Sequence, residues 1–122
     1  MTEEEILRFV SATVKSIWAL ELLLTVRRQR PRAWRTEELV AELRASIVVV
    51  REALAGLGAA GLIACDDTGH FCYRPISDQL DAIVESTQGL YSSKPLAIIN
   101  AIAAAPNEKL RIFADAFRLR KD

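Results

Sequence analysis

The chain is poor in the residues from which most active sites and secreted scaffolds are built: one histidine, two cysteines, five glycines and four prolines among 122 residues. Two cysteines make no disulfide framework, and a lone histidine with no carboxylate or cysteine partner in a triad-like context makes no catalytic centre. No glycine-rich phosphate loop, nucleophile elbow or paired-histidine helix face occurs. An enzyme is therefore not expected, and no cofactor or metal is implied. An excess of one charge is missing too, because sixteen Lys and Arg balance sixteen Asp and Glu. The whole molecule does not attract nucleic acid as a strongly basic domain would, so any such face must come from local segregation of charge. Long hydrophobic runs are also lacking. Ile17 to Val26 is about half of what a bilayer requires and contains Glu21. Glu3, Glu4 and Glu5 stand where a secretory signal would be basic, which gives the expectation of a cytoplasmic chain with no membrane partner.

Apolar residues make up 51% of the sequence, enough for one domain over residues 1–122 with a core that needs no staples. Thr2 followed by Glu5 fits a capping box and starts a first helix. Ile6, Phe9, Val10, Val14, Ile17 and Trp18 recur along it at helical spacing, and from Ile17 the chain is apolar on nearly every side. The first half then reads as a surface or dimer-contact helix and the second half as core. Pro31 ends the helical pattern inside a segment from Arg27 to Arg35 that holds five arginines and no acid. Trp34 reads as its anchor on the core, in a short strand.

Thr36 is the expected cap of the next helix, with Glu37 and Glu38 at the positive end of its dipole. Leu39, Val40 and Leu43 form its inner face, and it ends near Arg44. Ser46 caps a following helix in which Val50, Leu54 and Leu57 share a buried face. The segment Gly58-Ala59-Ala60-Gly61-Leu62-Ile63 closes that helix with a glycine able to take positive φ and then enters a strand. Ile63 to Asp66 and Phe71 to Arg74 read as a β-hairpin turning at Thr68–Gly69. That turn would put Cys65 opposite Cys72, a candidate redox pair, although face alternation leaves the register open. A zinc site from Cys65, His70 and Cys72 lacks a fourth ligand. Further on, Leu80, Ile83, Val84 and Leu90 mark a helix from Asp78 to Tyr91. Pro95 starts or kinks a segment with Leu96, Ile99, Ile102 and Ala103, and Leu110, Phe113, Ala114 and Phe117 mark a last helix after Pro106.

The run from Glu37 to Ile63, above all Leu54-x-x-Leu57-x-x-x-Gly61-Leu62-Ile63 before the hairpin, resembles the winged helix-turn-helix of bacterial transcriptional regulators of the MarR/ArsR-like superfamily. The resemblance covers residues 17–75. It implies a mainly α fold with a small β-hairpin wing, extended by terminal helices over 2–16 and 78–120 that serve dimerisation or packing. It further implies a DNA-binding homodimer. In that mode Arg30, Arg32 and Arg35 would position the phosphate backbone beside Thr36, Ser46 and Arg51 would reach the groove, and Arg74 would be a wing contact. The arginine segment also has a plainer reading, a solvated loop paired with nearby glutamates. Ile47, Val48 and Val49 occupy the usual base-contact positions, and valine can touch only a thymine methyl there. Arg35 to Glu52 holds three bases against four acids, and Asp66 and Asp67 add to the wing. The alternative is a winged-helix module whose apolar Ile47, Val48 and Val49 face binds a protein partner.

Overall fold

The computed structural model describes residues 1–104. Its elements are α1 (Glu3–Thr13), α2 (Ile17–Arg28), α3 (Thr36–Leu43), α4 (Ile47–Ala59), β1 (Ile63–Cys65), β2 (Phe71–Tyr73), α5 (Asp78–Ser93) and α6 (Pro95–Ala103). The fold is mainly helical with one antiparallel hairpin, as the sequence leads one to expect. The helix expected after Pro106 lies outside the described residues. No single helix among the described residues is long and apolar enough to cross a membrane.

The expected first helix is in fact two. The Thr2 hydroxyl accepts from the Glu5 amide and starts α1, while Ser16, in extended conformation, accepts from the Ala19 amide and starts α2 afresh at 109° to it. A side-chain cap satisfies an amide that a helix start leaves open, so Ser16 stabilises a new beginning where the apolar pattern alone runs on. The break alters what each stripe buries. Ile6, Val10 and Val14 go inside, whereas Ile17 and Trp18 stay partly exposed. Because α1 packs on α5 and α6 of the same chain, Ile6 and Val10 are used internally and are not a free dimer stripe.

Helix α2 is the centre. Leu20, Leu22, Leu23, Leu24 and Val26 are all buried; α3, α4 and β2 pack on the helix, and α5 is tied to it by side-chain hydrogen bonds. Two polar links join α2 to α5. Near the start, Tyr91 Oη donates to Glu21 Oε1 at 2.9 Å. At the far end, Arg27 turns its guanidinium inward, where Nε donates to Asp81 Oδ1 at 3.2 Å and Nη1 to Gln88 Oε1 at 3.0 Å, with Glu85 at 4.0 Å. Tyr73 of β2 donates its hydroxyl to the same Asp81 oxygen. A charge this far from water is tolerated only with its donors paired.

The C-terminal end differs from expectation in rotation rather than in kind. Pro95 begins α6 at its first turn, but the buried residues are Ile98 and Ile102, while Leu96 is 70% exposed and Ala103 is exposed. The inward face is set by where α1 and α5 lie, and a nearly all-apolar helix carries too little polarity to reveal it.

Removing Arg27 leaves Asp81, Tyr73 and Gln88 without their common partner. Arg27→Ala is expected to cost about 2–3 kcal/mol, less than for a fully buried pair because the Asp81 side chain is 38% exposed; urea denaturation measures it. The Tyr73 hydroxyl, then Arg27, hold the Asp81 carboxyl below its ordinary value, so its contribution is present above about pH 4 and is lost as pH falls through the depressed value. Burial, then the Asp81 hydrogen bond, push the Tyr73 hydroxyl well above its ordinary value, so its contribution is present below about pH 10 and is lost at higher pH. Tyr73→Phe should shrink both the alkaline and the acid loss in the same titration, and the alkaline loss that remains belongs to Tyr91, whose hydroxyl is raised by its hydrogen bond to Glu21.

Two glycines give a second check. A Cβ on Gly56, within α4, meets nothing within 4 Å, whereas one on Gly61, at φ +78°, would lie 2.9 Å from the Ile76 side chain. Gly56→Ala is expected to stabilise by about 0.5–1 kcal/mol and Gly61→Ala to destabilise by at least about 1 kcal/mol, read as shifts of the urea midpoint.

Candidate nucleic-acid interface

Helices α3 and α4 meet through Arg44, Ala45 and Ser46. Arg44 adopts the left-handed conformation at φ 53°, which ends α3, and the Ser46 Oγ accepts from the Val49 amide at 3.2 Å, which starts α4. At the other end of α3 the capping differs from expectation. Arg35, not Thr36, is the N-cap, and Thr36 is the first helical residue. The Glu38 carboxylate reaches back to the Arg35 amide at 2.8 Å, so the amide that leaves the ladder is satisfied without a hydroxyl cap. That amide, with Arg32 nearby, holds the Glu38 carboxyl below its ordinary value and keeps it anionic.

The arginine segment divides into used and unused side chains. Arg27 is internal. Arg30 turns Nη1 back onto the Arg27 carbonyl at 2.8 Å. Arg32 stacks its guanidinium 3.5 Å from the centre of the Trp34 ring and pairs with Glu38 at 3.4 Å and Gln29 at 3.2 Å. Arg35, Arg51 and Arg74 are exposed and make no ion pair among the described residues. The plainer reading fits Arg32, which pairs with Glu38, whereas Arg27 and Arg30 turn back onto the protein and Arg35 remains outward.

Trp34 is the hinge of this arrangement. Its ring is buried, and its backbone exchanges two hydrogen bonds of 2.7 Å with Phe71, forming an isolated bridge that ties the segment to β2. The expected short strand is that single bridge. Through it the outward Arg35 is held near the hairpin rather than on an untethered loop.

The apolar start of α4 is split. Val50, Ala53, Leu54 and Leu57 face the core, Val48 is 60% exposed and Ile47 38%. Val49 is only half-buried and turns toward a cavity of about 130 Å³ between the α1–α2 elbow and α4, lined also by Ala19, Ala53 and Gly56. The expected three-residue patch is therefore a two-residue patch of Ile47 and Val48. Glu52 and Lys15 line the same cavity. Glu52 is nonetheless exposed and follows Val48 by one turn, so the acid that would repel phosphate shares the outward side of α4 with that valine.

The hairpin corrects the cysteine pairing. Its register places Ile63 opposite Tyr73, Ala64 opposite Cys72 and Cys65 opposite Phe71. A three-residue loop of Asp67, Thr68 and Gly69, with Gly69 at φ +83°, replaces the two-residue turn centred on Thr68–Gly69 and shifts the register by one. The Asp66 carboxylate stabilises this loop by accepting from the Thr68 amide, the Thr68 hydroxyl and the His70 amide. Those bonds, led by the Thr68 hydroxyl, lower its pKa, so the tip stays negative. Because neighbouring residues on a strand face opposite ways, Cys65 and Cys72 lie on opposite faces and cannot close a disulfide. The same geometry separates the two sulfur donors of a Cys65, His70 and Cys72 zinc site.

The Arg27, Asp81 and Tyr73 cluster was not legible as a site. The only signal was that Arg27 directly follows the apolar run ending at Val26. No family model, curated protein or solved structure matches this chain.

Oxidation provides a direct check of the register. Mild oxidant followed by thiol titration is expected to leave no intramolecular Cys65–Cys72 bond, with the exposed Cys65 alkylated faster than the half-buried Cys72. An intact-mass loss of two hydrogens within the monomer would contradict the pairing.

Proposed function

We propose that the chain is a DNA-binding transcriptional regulator of the winged helix-turn-helix type, acting in the cytoplasm of a bacterial cell and paired as a homodimer. The observation that carries this reading is the α3–turn–α4 unit, with its second helix capped at Ser46 and its first turn exposed, beside a hairpin tethered to the preceding segment through Trp34 and Phe71. Such an outward helix start is what enters a major groove. With Ile6 and Val10 buried in the chain itself, the homodimer of this reading would draw on exposed apolar residues such as Leu96 of α6.

The contact set is smaller than the sequence implied. Arg35 and Arg74 carry the backbone contacts, with Thr36 beside Arg35 at the start of α3. Arg51 and Ser46 flank the groove, where the Ser46 hydroxyl can still donate while its oxygen accepts from the Val49 amide. Arg30 and Arg32 contribute less because their guanidinium groups already have partners.

One observation favours a second reading. An aliphatic pair at the exposed end of α4, with the nearby basic residues partly consumed, is a surface that a protein partner would bury. Under that reading Val48→Asp abolishes capture of the partner without changing the unfolding midpoint.

Selection from a randomised duplex library at low and physiological salt tests the main reading. A discrete motif that survives physiological salt is expected. On that motif Arg35→Ala and Arg74→Ala should each weaken binding evenly across sequences and reduce the salt slope by about one, while Arg32→Ala does so less. Retention that is indiscriminate and lost with salt would transfer the function to the protein-binding reading.

A further inference from the structure

The outward side of α4 has an unusual composition for a surface that meets DNA. Ile47, Val48, Arg51, Glu52 and Ala55 are exposed together, and positions three, four, seven and eight apart share one helix face. Val49 has turned to the cavity, and Ser46 is engaged as a cap. An approaching base pair therefore meets two branched aliphatic side chains first, and a turn later the Arg51 guanidinium with the Glu52 carboxylate beside it. No amide side chain lies on this face.

That composition restricts what can be read. The edges that bases present in the major groove are hydrogen-bond donors and acceptors, apart from the small C5–H of cytosine and the C5-methyl group of thymine, and only the methyl offers a sizeable apolar surface. Isoleucine or valine set against a donor or acceptor would strip its water and return nothing, which is costly. Set against the methyl, the same side chains bury apolar surface on both sides. Resting on the DNA-binding reading above, we propose that α4 is a reader of C5-methyl groups. The site it recognises places thymines against Val48 and Ile47, and Arg51 supplies the adjacent polar contact. 5-Methylcytosine carries its methyl at the same ring position and is the other source of this chemistry.

The experiment begins with the strongest motif from the randomised duplex library, bound by the full chain. Each thymine is replaced in turn by deoxyuridine, which removes only the methyl group. At the contacted positions wild type should weaken about fourfold per methyl, the effect of burying one such carbon. Val48→Ala, at an exposed position whose folding is checked by circular dichroism, should bring the thymine-to-uracil ratio at one position close to one. Arg51→Ala should weaken both duplexes alike and leave the ratio unchanged. Exchanging a contacted thymine pair for a cytosine pair with or without its 5-methyl group separates the sources. A methyl-dependent gain there extends the site to methylated DNA, and its absence confines it to thymine.

Equal affinity for thymine and uracil duplexes of an enriched motif would overturn the proposal and leave DNA binding standing. A uracil penalty that persists in both Val48→Ala and Ile47→Ala would also overturn it, because the methyl would then act through duplex shape. Failure of any motif to enrich would remove the DNA-binding reading itself.

Discussion

The rest of the structure depends on the inward turn of Arg27. Helix α2 is so thoroughly apolar that packing by itself leaves the rotation and sliding of its neighbours weakly specified, since leucine accepts many arrangements of similar area. A guanidinium at its end does not. It demands acceptors in set directions, and Asp81 and Gln88 of α5 supply them while Tyr73 of β2 satisfies the other side of Asp81. The hairpin and the C-terminal helices are thereby referred to one point. Glu21 and Tyr91 make a second such point nearer the start of α2, and two directional contacts along a helix fix a neighbour where one would let it pivot.

This internal use of charge changes the surface. An arginine that holds elements together cannot neutralise a phosphate, and Arg32, stacked on Trp34 and paired with Glu38, is partly withdrawn as well. The segment that is most basic in the sequence is consequently less basic in the fold. What it gains is rigidity. The Trp34–Phe71 bridge gives the helix pair and the hairpin a common frame, so Arg35 and Arg74 hold a defined relation to α4.

Features encoded by a residue's own chemistry were legible in the sequence. Thr2 and Ser46 cap helices, Pro95 starts one, and Gly61 and Gly69 take positive φ, because each has a short-range preference that any fold must respect. What was not legible depends on distant partners. The stripe from Ile6 to Trp18 is continuous at helical spacing, yet the chain breaks at Ser16 because α1 must lie against α5 and α6. The hairpin register turned on whether Asp66 would gather three donors, a choice between loops one residue apart that reverses the faces of both cysteines. Of the candidate contacts, Arg35, Arg51 and Arg74 were placed outward as expected, whereas Arg30, Arg32 and Val49 found partners or cover inside the molecule.

The same inventory bears on how such a surface could bind selectively at all. A protein that leans on many phosphate contacts gains affinity for every sequence alike and must then discriminate against a high background. On the proposed DNA-binding reading, the equal numbers of acidic and basic residues in the chain keep that background low, and the negative tip formed by Asp66 and Asp67 lowers it further. Specific affinity must then come from the contacts of α4 and from symmetry. An isologous pair doubles the phosphate contacts while requiring two correctly spaced half-sites, so each weak half supports the other only on the right sequence. If the chain binds DNA as a pair, as proposed, the absence of a net positive charge, which at first counts against a nucleic-acid role, is the condition under which two aliphatic side chains would decide where the protein sits.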